Sequence, residues 1–201
     1  MDLWGLCTGD KKASVWDNYT GSGNPYKDSE KYTVFIQTLF TKEKQFSEKY
    51  SETACNATAI LNIFSEQYTK ETGNVLSIEE GIEILRNVPN NIIDKDDAYV
   101  YDLAPALNAM IDYVEEKYEE DIFLGKFGYS PSWLGYKKTA LVGDRYSILV
   151  VTSNSFPEHY VNILIEIDEK VIVYDTYDGK IKNKTSSEII KQNDITYYIP
   201  N

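Results

Sequence analysis

Apolar residues recur at helical spacing through the first half of this chain, and past Asp144 they change to the alternating or continuous runs of β-strands. From Thr53 to Glu71, Ala57, Ile60, Leu61, Phe64 and Tyr68 fall on one helical face, with Gly73 placed to end the helix. Ser77 and Glu80 form a capping-box pair that starts a second helix running to about Arg86. After an acidic loop at about 87–98, Asp102 opens a third helix, with Leu103, Leu107, Met110 and Val114 on one face and Pro105 early enough to be tolerated. Ser130-Pro131 is a further helix-start signal. The strand candidates are Tyr32–Phe40, Tyr146–Thr152, Tyr160–Ile167, Val171–Tyr174 and Ile195–Ile199. Helices gathered ahead of strands predict an α+β fold with a central helix against an antiparallel sheet. Residues 1–31 are rich in Gly, Asn, Asp, Ser and Tyr and read as an irregular N-terminal arm held down by Trp4 and Trp16, which leaves 32–201 as the domain.

Three side chains in that framework carry chemistry. Cys55 falls in the first turn of the predicted central helix, where exposed amides and the helix dipole favour a thiolate. A small buried core thiol is the bland alternative. His159, the only histidine in the chain, is expected just before the strand Tyr160–Ile167, at the end of the loop Ser153–Glu158, a usual place for a functional side chain. Its bland alternative is a satisfied surface histidine. Asp175 closes the strand Val171–Tyr174, and a strand–turn–strand hairpin would bring it beside His159, where a carboxylate can orient an imidazole. Otherwise it is a turn aspartate, as Asp178 before Gly179 more plainly is.

Composition narrows the partners. With 201 residues, the chain can bury about 70% of its unfolded surface and needs no disulfide or metal to fold. A net charge of −12 with scattered bases disfavours nucleic acid and anionic membranes, while a basic peptide or protein would be attracted. No apolar run approaches the roughly 20 residues that a bilayer requires, so membrane insertion is not expected. Met1–Asp10 lacks the basic and apolar regions of a signal peptide, which leaves both the cytoplasm and secretion after leader removal open. One histidine with two distant cysteines does not make a zinc site, Asp94–Asp97 lacks the pattern of a calcium loop, and no glycine-rich phosphate loop is present, so no cofactor or metal is expected. Cys7 has no partner histidine and reads as structural. Of three sequons, at Asn18, Asn56 and Asn183, glycosylation of the second would block Cys55. Oligomeric state is not legible.

A helix-start cysteine, then a histidine at a strand start, then an aspartate at a strand end is a chain order with a mechanism behind it. The segments Glu52–Ala59, His159–Ile163 and Val171–Asp175 resemble the papain-like cysteine peptidases, most closely the type that trims bacteriocin leaders at double-glycine sites. The resemblance covers about 45–200. It implies a papain-like fold, a peptide or protein substrate and hydrolysis of peptide or isopeptide bonds through a thioester. Cys55 would be the nucleophile, His159 the acid and base, and Asp175 the orienting carboxylate. The family places a glutamine about six residues before the cysteine as an oxyanion donor. Lys49 stands there in this chain, so Gln45 is the candidate, with Lys49 as the alternative. Glycine usually follows the cysteine, and here Asn56 does. That altered context supports a second reading, a peptidase-like domain that binds a peptide or protein without cleaving it.

Overall fold

The computed structural model describes residues 32–37, 54–95, 98–130, 147–153, 156–167, 170–177, 179–185 and 195–200. The expected N-terminal arm, Trp4, Trp16, Cys7, Gln45, Lys49, Asp178 and residues 131–146 lie outside those residues. Three helices come first: α1 (Cys55–Thr72), α2 (Ile78–Asn87) and α3 (Leu103–Tyr118). The short strands β1 (Ile93–Asp94) and β2 (Tyr99–Val100) form a hairpin between α2 and α3. There follow β3 (Gly125–Ser130), β4 (Ser147–Ser153), β5 (Phe156–Ile167), β6 (Lys170–Asp175), β7 (Lys180–Thr185) and β8 (Ile195–Pro200). They make one antiparallel sheet in the order β3-β8-β4-β5-β6-β7. The fold class is α+β, as the segregation of periods predicts.

Helix boundaries follow local chemistry. Gly73 ends α1 at φ +69°, and its N–H donates to the Thr69 carbonyl. Ser77 and Glu80 form both bonds of the capping box on α2. The expectation for α1 was a single apolar face, yet Asn56, Thr58, Asn62, Ser65 and Thr69 are buried as well. The helix is enclosed by α2, α3, β2 and the sheet, so its polar positions are covered too.

Asparagines do much of the fastening. Asn62 Oδ1 accepts from the Phe35 N–H at 2.7 Å, and its Nδ2 donates to the Phe35 carbonyl at 3.1 Å. Its Nδ2 also donates to Asn162 Oδ1 at 3.1 Å, and Asn162 Nδ2 donates to the Ala59 carbonyl at 2.9 Å. These fully buried amides join α1, β5 and the segment 32–37. Asn108 on α3 repeats the device, pairing with both the N–H and the carbonyl of Phe127 on edge strand β3. Residues 32–37 were expected to be part of a strand. Apart from a lone bridge at Tyr32 they form no strand and dock on α1 through Asn62 instead of joining the sheet. The Phe35 ring also lies on α2, where a Cβ added at Gly81 would come within 2.5 Å of it.

Four strands had no counterpart in the sequence reading: the short pair β1 and β2, at and just past the expected acidic loop, and β3 and β7 of the main sheet. β7 (Lys-Ile-Lys-Asn-Lys-Thr) is a charged edge strand with one apolar residue. β3 carries two glycines, and Ser130, read as a helix cap, ends it. The core lies between the helices and one sheet face, where Ile172, Tyr174 and Tyr198 join Ile60, Leu61, Phe64, Leu107 and Met110. A smaller cluster of Val161, Ile163, Val171, Val173, Ile195 and Tyr197 forms separately.

Replacing Asn62 by alanine strands the buried N–H of Phe35 and leaves its carbonyl only the long 3.4 Å bond from the Tyr174 hydroxyl. The expected loss is about 2–4 kcal/mol in urea unfolding, and a loss below about 0.5 kcal/mol would show that this latch contributes little.

Candidate active site

Cys55 is the first residue of α1 and a partly buried thiol outside any disulfide. Ala54 precedes it and gives the helix no side-chain cap. Asn56, which stands where the resembled family has glycine, is fully buried. Its Oδ1 accepts from the Ala57 N–H at 2.7 Å and its Nδ2 donates to the Val100 carbonyl at 3.1 Å. The asparagine thus ties the turn that carries Cys55 to hairpin β1–β2. A residue buried this completely cannot be reached by a glycosylating enzyme in the folded protein. Tyr99 and Tyr101, the exposed neighbours of Val100, pack edge to face at 5.7 Å.

His159 was expected in front of its strand. It lies within β5 instead, paired in register with Val151, because β5 begins at Phe156 and takes in residues read as loop. On β6, Asp175 is in register with Val161. Period-two alternation puts His159, Val161 and Asp175 on one face of the sheet, while Asn162, on the other, is tied to α1. The hairpin geometry expected from sequence is realised: His159 Nε2 and Asp175 Oδ1 are 2.7 Å apart. With Nε2 committed to the carboxylate, Nδ1 is the nitrogen left for a second partner, and the side chain of Cys55 lies close enough to act on the charge of the imidazole. The structure therefore brings together Cys55, His159 and Asp175.

Asp175 is heavily engaged. Its Oδ1 also accepts from the Tyr177 N–H at 3.0 Å, and its Oδ2 pairs with the Lys182 ammonium on β7. Gly179, at φ +66°, closes the β6–β7 turn by donating to the Asp175 carbonyl. Burial works against the charge on both partners. For His159 it is outweighed by the hydrogen bonds of Asp175 and Cys55 and by their charges, which raise the imidazole from 6.5 to about 9. For Asp175 it is outweighed by His159, Lys182 and the Tyr177 amide, which hold the carboxyl well below its ordinary value.

Gln37 escaped the sequence reading, which searched nearer the cysteine. It is almost fully buried, and its backbone N–H donates to the Thr176 carbonyl at 2.9 Å, one residue past Asp175. Thr176 in turn donates its hydroxyl to the Tyr160 carbonyl at 2.8 Å, so 32–37 is stitched to the strands that carry His159 and Asp175. A glutamine closing an apolar extended segment was the available signal. Among the described residues, no group of three or more His, Cys, Asp and Glu is assembled to hold a metal, and no helix is long and apolar enough to cross a membrane.

No family model and no curated protein matches this chain. Solved structures do. The peptidase domain of Streptococcus ComA, a bi-functional ABC transporter involved in quorum sensing, is similar with a TM-score of 0.47 at 8% identity, covering 75% of this chain and 93% of that one. A Bacillus anthracis protein described as a C39-like peptidase is similar with a TM-score of 0.48 at 13% identity, covering 81% of this chain and 92% of that one.

The single histidine makes the charge state directly readable. Its ring-proton NMR signal should titrate with a midpoint near 9 and fall in Asp175→Asn; a wild-type midpoint of 6.5 would contradict the pairing. The folded value lies above the unfolded one. The stabilisation by His159 is therefore fully present below about 6.5 and is lost as pH rises through about 9. For Asp175, whose value is lowered, it is present above 3.8 and lost as pH falls below that.

Proposed function

We propose that this protein is a cysteine peptidase or closely related amide hydrolase, acting on a peptide or protein through Cys55, His159 and Asp175. The observation that carries the reading is a histidine held between a carboxylate and a thiol at a helix N-terminus. An imidazole that keeps its proton at neutral pH favours the thiolate beside it.

In the proposed reaction, the Cys55 thiolate attacks the substrate carbonyl carbon. A sulfur–carbon bond forms, and the carbonyl π pair moves to oxygen. His159 gives its proton to the leaving nitrogen, the carbon–nitrogen bond breaks and an amine departs from the thioester. Neutral His159 then takes a proton from water as the water oxygen attacks the thioester. The sulfur–carbon bond breaks, releasing the acid and restoring thiolate and imidazolium. Asp175 holds the imidazole in the tautomer that presents Nδ1 to sulfur.

The oxyanion needs donors at the carbonyl oxygen. The backbone N–H of Cys55 at the first turn of α1 is one candidate. For the second we favour Gln37 over Gln45 or Lys49, because Gln37 is buried and its backbone is bonded to the residue after Asp175.

Iodoacetamide labelling across pH 4 to 9 tests the nucleophile. The expected outcome is fast labelling of Cys55 well below pH 8, slowed in His159→Ala, with Cys7 reacting as an ordinary thiol. An ordinary thiol profile at Cys55, unchanged by His159→Ala, would favour the non-cleaving binding module. Once a cleaved peptide is in hand, Gln37→Ala should lower kcat by a factor of about 10²–10³, and Gln45→Ala should not. The reverse pattern would move the oxyanion role to Gln45.

A further inference from the structure

Asp175 has two carboxylate oxygens, and each is assigned to a different cation. Oδ1 faces His159 Nε2 and also accepts the Tyr177 N–H, while Oδ2 is held by the ammonium of Lys182. Register explains the second contact. β6 and β7 pair Asp175 with Lys180 and Val173 with Lys182, so Lys182 shares a sheet face with Asp175, one step along the ladder. The lysine side chain is 41% exposed and the aspartate side chain 10%. An ion pair with one partner this exposed adds little to stability. Its effect falls instead on the buried carboxylate and on whatever else that carboxylate serves.

We infer that Lys182 is a positioning residue of the active site: its ammonium shares the charge of Asp175 and, through it, opposes the charge on His159. This rests on the reading of Cys55 and His159 as the reacting pair. Among the described residues, the groups that face His159 are the Cys55 side chain from α1 and Asp175 from β6, with Lys182 of β7 and the Tyr177 amide acting through Asp175. Imidazolium, carboxylate and ammonium therefore alternate in sign along a line of contacts from β5 through β6 to β7. The Tyr177 amide already holds Oδ1 in place, so the ammonium acts on the imidazole as a like charge beyond the carboxylate and opposes the charge on His159. An imidazolium so opposed gives up its proton more readily, as protonation of a leaving amine requires.

The test is the NMR titration of the sole histidine in Lys182→Met and Lys182→Arg beside the wild type. Methionine keeps most of the stem and removes the charge, and arginine keeps the charge. In Lys182→Met the His159 midpoint should rise by about half a unit to one unit, the size expected for losing a like charge at this range in a partly solvated site. Lys182→Arg should titrate as the wild type does. An unchanged or lowered midpoint in a Lys182→Met protein with a wild-type thermal transition would overturn the role. The titration needs no turnover, so the two readings fail separately. An inert Cys55 with a shifted histidine sinks the peptidase reading alone, and a reactive Cys55 with an unshifted histidine sinks the role of Lys182 alone.

Discussion

A buried side-chain amide has four hydrogen-bonding valences to satisfy, and Asn62 fills three of them from two distant parts of the chain. It stands about two turns along α1 from Cys55. Its partner Asn162 stands three residues along β5 from His159 and bonds back to α1 at Ala59. Two of these four bonds lock the Cys-bearing helix to the His-bearing strand at a short lever arm from Cys55 and His159. The other two seat the segment that ends at Gln37. Apolar packing alone tolerates small slides, whereas a chain of directional bonds among fully buried amides does not. The separation of thiol and imidazole therefore follows from a polar constraint in the middle of an apolar core.

Around that constraint the site is organised by charge. The first turn of α1 is left without a side-chain cap, and Asn56 spends its side chain on the Ala57 amide and on hairpin β1–β2. The glycine that commonly follows the cysteine in the resembled family is replaced by a residue with a structural task of its own, so its loss does not by itself argue against catalysis. The carboxylate of Asp175 is fixed by a turn amide, a lysine and the imidazole. That is why it stays charged despite its burial and can hold His159 protonated.

Much of this could be read in the sequence, and the gaps have physical causes. The cap at Ser77, the stop at Gly73 and the period of α1 are local signals and appear as expected. The approach of Asp175 to His159 followed from hairpin geometry, which needs only two strands and a turn. What the sequence hid depends on tertiary context. Strand β7 has a polar, charged pattern because it is an edge, and a polar pattern looks like a loop. His159 seemed to precede its strand because Phe156-Pro157-Glu158 lacks alternation, yet β4 supplies a partner and the strand starts early. Asn62 and Asn162 look like helix-breaking and strand-breaking residues until they are seen to bond each other. Gln37 was missed because separation along the chain is not separation in the fold, where its backbone meets Thr176 beside Asp175.

The central claim is that Cys55 forms a covalent acyl intermediate under the control of His159. A burst experiment with p-nitrophenyl acetate, followed by intact and peptide mass analysis, reads this without knowledge of the natural substrate. The account predicts rapid release of about one equivalent of nitrophenolate per chain, an acetyl group on Cys55 and not on Cys7, and loss of the burst in His159→Ala. Acetylation that is slow, spread over both cysteines or indifferent to His159 would contradict it.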